Sequence, residues 1–153
     1  MVPKPMQKEE MMLTRIYRAE NEIDQLRTYS IAEIPELLGI PVAKETMDAN
    51  VLEFYSSVSI GHQTGWLVAF TSEFMKDISH IGDKKKEGRI LNAIIEICEQ
   101  PIEPRGDTVK PLSGPLKGRW RFRIGDYRLV YCPDDSKHVV YLLLIDTRGD
   151  VYG

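Results

Sequence analysis

The sequence predicts an α+β fold in which a strand and a helical hairpin lead into a three-stranded antiparallel meander, preceded by an N-terminal helical extension. Three observations carry that prediction. Apolar residues recur at helical spacing through residues 12–58 and again through 74–98, the spacing changes to strict alternation at Arg119, and stretches rich in Gly or Pro separate these regions at 59–65 and 101–118. The 153 residues, 42% hydrophobic and 28% charged, suffice for one core and argue against wholesale disorder, collagen-like repeats and a disulfide scaffold. No apolar run approaches the roughly 18 residues of a membrane span, and no apolar stretch follows the charges of the first ten residues, so a soluble, cytoplasmic protein is expected. Cys98 and Cys132 fall on a helical pattern and at a strand end, which fits a reducing compartment better than a disulfide.

In the extension, taken as residues 1–64, Met12, Ile16, Ala19, Ile23 and Leu26 share one helical face, with Glu20, Glu22 and Asp24 among the intervening residues. Ser30 and Glu33 have capping-box spacing, but Pro35 and Gly39 limit the helix they would start to a short or kinked piece over 31–38. Met47, Val51, Phe54, Tyr55 and Val58 restore the helical period, and residues 59–65 read as a linker. The second part, residues 65–153, opens on an apolar run of strand length at 66–70. Ser72 is the expected cap of a helix bearing Phe74, Ile78 and Ile81. Gly82-Asp83 breaks the chain before a second helix, whose broad stripe of Ile90, Leu91, Ile94, Ile95, Ile97 and Cys98 ends ahead of Pro101. Residues 101–118 read as a loop, and no internal repeat is present.

Arg119-Trp120-Arg121-Phe122-Arg123-Ile124 alternates strictly, so three arginines share one face of a strand and three large apolar residues the other. Gly125-Asp126 is a two-residue hairpin loop with Gly where a type II′ turn needs it. That fixes a register with Ile124 opposite Tyr127, Arg123 opposite Arg128 and Trp120 opposite Tyr131. The apolar face can pack on the helices, leaving Arg121, Arg123 and Arg128 on the other side. Directly opposed like charges destabilise a sheet, so such a pair suits a surface built to bind phosphate. The plainer reading is an exposed basic face whose arginine stems cover apolar neighbours. On the first reading, replacing Arg128 with Gln leaves stability unchanged or slightly raised. Residues 139–145 are continuously apolar, as in a strand covered on both sides. They run antiparallel to the preceding strand, so the segment from Asp146 through Arg148 to Tyr152 should emerge near Arg123 and Arg128.

Guanidinium groups hold phosphate bidentately and keep their charge, so this cluster can bind a phosphodiester and stabilise charge developing on it; nucleic acid is its natural ligand. His138 begins the last strand, roughly 30 Å from Arg148 at about 3.3 Å per residue. Proton transfer then falls to Tyr152 or to Asp126, Asp146 or Asp150, and Tyr152 reads equally well as an aromatic that only packs or stacks. No His, Cys and carboxylate set has metal-ligand spacing, and there is no Walker loop or nucleophile elbow, so neither metal nor cofactor is expected.

The net charge of −3 hides an asymmetry: residues 1–64 carry six basic and ten acidic side chains, whereas residues 105–132 carry seven basic and two acidic. Three readings of the extension stay open: a structural appendage, a segment masking the basic face within the same molecule, and a DNA-binding helical segment. An amphipathic, acidic segment is what masking needs.

Val109-Lys110-Pro111-Leu112-Ser113-Gly114, Gly118-Arg119-Trp120-Arg121, Gly125-Asp126-Tyr127-Arg128-Leu129-Val130-Tyr131 and Arg148-Gly149-Asp150-Val151-Tyr152 resemble the RelE/ParE toxin superfamily, over residues 65–153. The resemblance implies a RelE-like core and the toxin of a type II toxin–antitoxin system, with a cognate antitoxin as partner. RelE-like members are endoribonucleases that cleave messenger RNA on the ribosome without a metal, blocking translation, whereas ParE-like members inhibit DNA gyrase. It further implies catalytic roles for Arg121, Arg123, Arg128, Arg148 and Tyr152, with RNA binding by Lys110, Lys117 and Arg119. The implied reaction is attack of the substrate's 2′-hydroxyl on the adjacent phosphate, leaving a 2′,3′-cyclic phosphate and a 5′-hydroxyl end. Arg121, Arg123 and Arg128 would orient the phosphate, Arg148 would serve the leaving-group side, and Tyr152 would move a proton or stack a base. This sequence departs from the pattern with arginines where RelE-like enzymes often carry lysines, and with Thr147 where many carry His. An RNA endonuclease, a non-enzymatic gyrase inhibitor and an inactive partner-binding relative remain as alternatives.

Overall fold

The computed structural model describes residues 8–62 and 65–147. In chain order, helices α1 (Lys8–Glu20), α2 (Ile34–Leu38) and α3 (Ala49–Ser59) precede strand β1 (Leu67–Phe70). A helical hairpin of α4 (Ser72–Ser79) and α5 (Lys84–Glu99) follows, and then strands β2 (Val109–Pro111), β3 (Trp120–Ile124), β4 (Tyr127–Asp134) and β5 (Val139–Asp146). The α+β class and the order of strand, helical hairpin and meander match the expectation.

The five strands form one sheet in the order β1-β5-β4-β3-β2, with β1 parallel to β5 and the remaining pairs antiparallel. The β3–β4 register is the one the Gly-Asp turn dictates: Ile124 opposite Tyr127, Arg123 opposite Arg128 and Trp120 opposite Tyr131. All eight residues of β5 are buried, as its unbroken apolar run requires of a strand with a neighbour on each edge and a layer on each face. A bulge near Val130 lets β5 put both Leu143 and Leu144 into the same apolar cluster.

Two local expectations after Gly65 need correction. Residues 101–118 are not loop throughout, because Val109–Pro111 pairs with β3 as an edge strand. Three residues are too few to show alternation, and a proline is tolerated where no further strand needs its missing N–H. The cap of α4 is Thr71 rather than Ser72: its buried hydroxyl accepts from Phe74 N at 3.1 Å and donates to Leu143 O at 2.6 Å, tying the helix start to β5.

The change of pattern at Gly65 does not separate two cores. On one face of the sheet, Phe122, Leu129, Tyr131, Val140 and Leu142 pack with Phe74 of α4 and the apolar stripe of α5. Ile31, Ile34, Ile40, Met47, Val51 and Phe54, all from before Gly65, belong to the same cluster. Tyr29 exchanges backbone hydrogen bonds with Val68 of β1, and a Cβ at Gly65 would lie 2.6 Å from the Phe54 ring. On the other face, Met12, Ile16 and Ala19 of α1 are fully buried against Ala69, Val130, Tyr141, Leu143 and Leu144. The stripe expected over Met12 to Leu26 is helical only in its first three residues: α1 ends at Glu20, Ile23 lies in a short 3-10 turn and Leu26 is extended. Ile23 and Leu26 still pack on the same cluster, so burial against the sheet rather than helical period holds them there.

Candidate nucleic-acid interface

Alternation along β3 and the observed register place Arg121, Arg123 and Arg128 on one sheet face, as expected, but that face is not bare: it carries α1. Their environments differ. Arg121 is 5% exposed and donates to Asp107 O at 2.5 Å. Arg128 is 4% exposed and donates to Gly125 O at 3.3 Å and Tyr127 O at 3.2 Å, both in its own hairpin. Its cross-strand position on β5 is taken by Asp146, 1% exposed. A buried cation thus has an arginine opposite it on one side and a carboxylate opposite it on the other, so the like-charge pair is offset within the sheet. Arg123, at the end of β3, is exposed.

The sequence makes this whole stretch an open basic face; the structure engages most of it. Arg119 is held by Glu20 at the end of α1, through Nε to Oε2 at 2.8 Å and Nη2 to Oε1 at 2.5 Å. That hydrogen bonding raises the Arg119 pKa above its ordinary value, against a smaller opposing effect of burial. Lys110 pairs with Asp107 at 2.7 Å and thereby lowers the Asp107 pKa, while Arg105 pairs with Glu96 of α5. Among the described residues, Lys117 and Arg123 are the two basic side chains of 105–132 that are exposed and in no ion pair. Arg148 and Tyr152 lie outside the described residues, as does Asp150. His138 stacks on Trp66 at 4.8 Å, where β5 begins, at the end of the sheet away from the β3–β4 turn.

Helix α1 is fastened by charges of both signs, not by its acidic residues alone. Arg15 reaches Glu73 at 3.1 Å and Asp77 at 2.5 Å on α4, and Arg18 reaches Glu73 at 3.0 Å. Glu22 accepts from Ser72 N at 2.7 Å and Ser72 Oγ at 2.6 Å, at the start of α4. An average over residues 1–64 cannot show that its arginines face α4 while Glu20 faces Arg119.

Sequence reasoning misses one basic group. Lys85 and Arg89 of α5 line a cavity of about 400 Å³ together with Arg123 and Gly125 of the hairpin. The signal that could have found it is Lys84-Lys85-Lys86 and Arg89 in the first turns of a helix, where the macrodipole disfavours cations. Among the described residues no group of three or more His, Cys, Asp or Glu side chains could hold a metal ion, and no helix is long and apolar enough to cross a membrane.

Comparison with known proteins fixes the class. The family model "ParE toxin of type II toxin-antitoxin system" matches residues 68–152, and the chain belongs to that family, within the RelE/ParE toxin superfamily. Toxin RelG of Mycobacterium tuberculosis is 34% identical over 88 residues, which span 57% of this chain and 95% of RelG. Toxin RelE of the same organism is 33% identical over 86 residues, 56% of this chain and 84% of the relative. Among solved structures, the toxin–antitoxin complex RelBE2 from M. tuberculosis matches with 29% identity and a TM-score of 0.43, over 56% of this chain and all of that one. The archaeal RelE–RelB complex from Pyrococcus horikoshii matches with 27% identity and a TM-score of 0.46, over 54% of this chain and 93% of that one. The matched region begins at β1, so α1, α2 and α3 are additions to the part this chain shares with the family.

Proposed function

We propose that this toxin is a metal-independent messenger-RNA endonuclease that acts in the cytoplasm on translating ribosomes and is neutralised by a cognate antitoxin. The observation that carries the reading is the convergence at the β3–β4 hairpin. Strand β3 brings Arg121 and Arg123, β4 brings Arg128, and β5 ends with Asp146 opposite Arg128, two residues before Arg148 and six before Tyr152 in the sequence. Arginines fixed by backbone carbonyls are preorganised donors, which favours stabilising an oxyanion over merely attracting one. In this reading Arg121, Arg123 and Arg128 hold the scissile phosphate, Arg148 serves the leaving oxygen, and Tyr152 moves a proton or stacks a base, while the RNA supplies its own 2′-hydroxyl. Lys110, Lys117 and Arg119 extend the RNA contact.

The proposal includes a role for α1. It covers part of the sheet face that bears Arg121 and Arg128 and occupies Arg119 through Glu20, so it restrains RNA access until displaced.

Primer extension on abundant messages in a translating extract tests the activity, with transition metals chelated and Mg²⁺ held at the ribosome's requirement. The expected result is discrete cleavage within coding sequence. The match to the ParE family model favours one other reading, a gyrase inhibitor without enzymatic activity. Intact messages together with gyrase-dependent DNA damage would replace the nuclease reading with that one.

A further inference from the structure

The cavity between the first turns of α5 and the β3–β4 hairpin lies on the α5 side of the sheet, and α1 packs on the other. Two cations of α5, Lys85 and Arg89, line it against the hairpin residues Phe122, Ile124 and Gly125. Both are exposed, and among the described residues neither has a carboxylate within ion-pair distance. The one carboxylate in the lining, Glu96, is taken by Arg105. A smaller cavity of about 100 Å³ continues past Arg89 toward Tyr127 and Asp126, and Lys86 sits 5.7 Å from the Tyr127 ring centre at its rim. Gly125 has φ +58°, and a Cβ there would lie 3.4 Å from Arg89 Nη2, so the turn leaves room for that guanidinium.

Collecting like charges around a concavity without partners raises the energy of the free protein, and a bound anion relieves it. The cavity is open, and its one carboxylate is already paired with Arg105, so its exposed cations suit an extended anion laid across it. We infer that this cavity is a phosphate subsite for the backbone of a single-stranded RNA, holding the strand beside the hairpin while its scissile phosphate lies on the opposite sheet face. The inference takes RNA as the ligand from the nuclease reading above. Because α1 packs on the other face, the subsite is open in the intact chain and offers RNA a first foothold before α1 is displaced.

The test is the binding of a labelled single-stranded RNA oligonucleotide to the full chain, followed by fluorescence anisotropy across a salt series. Arg89→Gln and the double variant Lys85→Gln/Arg89→Gln should weaken binding several-fold, and should flatten the dependence of log affinity on log salt by about 0.7 for each phosphate that is no longer neutralised. Arg89→Lys should retain most of the slope, and Lys76→Gln, an exposed cation on α4, should behave as the parent. Arg89 is exposed, so matched thermal unfolding is expected, and Arg89→Lys serves as the reporter if Arg89→Gln folds poorly. Affinity and slope unchanged in the double variant would overturn the inference, as would loss of antitoxin binding with RNA binding intact, which would make the cavity a protein-docking surface. RNA binding that depends on Arg89 in a protein that cleaves no message would sustain the subsite while refuting the nuclease.

Discussion

Glu20 and Arg119 stand 99 residues apart and form a two-pronged ion pair, with contacts of 2.8 and 2.5 Å, that ties the end of α1 to the start of the arginine-bearing strand. Both side chains are about four-fifths buried, 20% and 17% exposed for Arg119 and Glu20, so water screens the pair only partly. It links the segment outside the family match to the segment that defines the family.

Glu20→Gln should therefore lower stability by about 1.5–3 kcal/mol, the range for hydrogen bonds to charged groups, as measured by urea unfolding. If α1 restrains the site, the same variant should cleave or bind RNA more strongly than the parent at equal folded fraction. Lower stability with unchanged RNA activity would leave α1 a purely structural helix. A chain truncated to start at Gly65 is a poor substitute for this test. It would strip Ile31, Ile34, Met47, Val51 and Phe54 from the core and expose the apolar faces they cover.

Register alone makes Arg128→Gln neutral or slightly stabilising, since it removes one of two opposed arginines. The structure reverses the sign. Arg128 is buried, donates to two hairpin carbonyls and lies opposite the buried Asp146, so its replacement should cost about 1–3 kcal/mol. Phe122→Ala, on the other face, should cost roughly 3–5 kcal/mol through a core cavity. Equilibrium unfolding of both variants checks the order, and an Arg128→Gln protein as stable as the parent would show that its guanidinium is not a structural donor.

Gly125→Ala puts a Cβ on a left-handed backbone, and should destabilise by about 1–2 kcal/mol. A Cβ there would stand 3.4 Å from Nη2 of the exposed Arg89, an ordinary contact that the side chain can yield. Adding Arg89→Gln should therefore recover none of the loss, and a double-mutant cycle should show a coupling near zero.

Burial pushes the Cys98 thiol from its ordinary 9.0 up to about 12 and raises the Tyr131 phenol as well, again chiefly by desolvation. Both groups stay neutral in the folded chain at pH values where the unfolded chain ionises. Stability should thus be fully present below pH 9 and fall as pH rises from 9.0 toward about 12, by up to about 1.4 kcal/mol per pH unit for each such group. Urea midpoints at a series of pH values check this, and Cys98→Ala should remove the Cys98 share, leaving the part that belongs to Tyr131.

Local rules are enough to specify a large part of this protein. The Gly-Asp turn between two alternating strands fixes every pair from Trp120–Tyr131 to Ile124–Tyr127, because side chains repeat every two residues and a two-residue loop leaves one register. The unbroken apolar run at 139–145 predicts a strand covered on both faces, and the residues matching the toxin pattern identify the superfamily. Tertiary structure decides the state of each charge. The partners of Arg119 and Arg121 lie 99 and 14 residues away, at Glu20 and Asp107 O, and the carboxylate opposite Arg128 is Asp146 of the next strand; periodicity carries no information about which distant segment covers a face. The same limit hides the cavity beside Lys85 and Arg89, since its walls come from two elements that meet only when α5 packs on the sheet. Pattern along the chain determines which face a side chain occupies; the packing of remote segments determines what that face meets, and for charged groups this sets both their energy and their availability to a ligand.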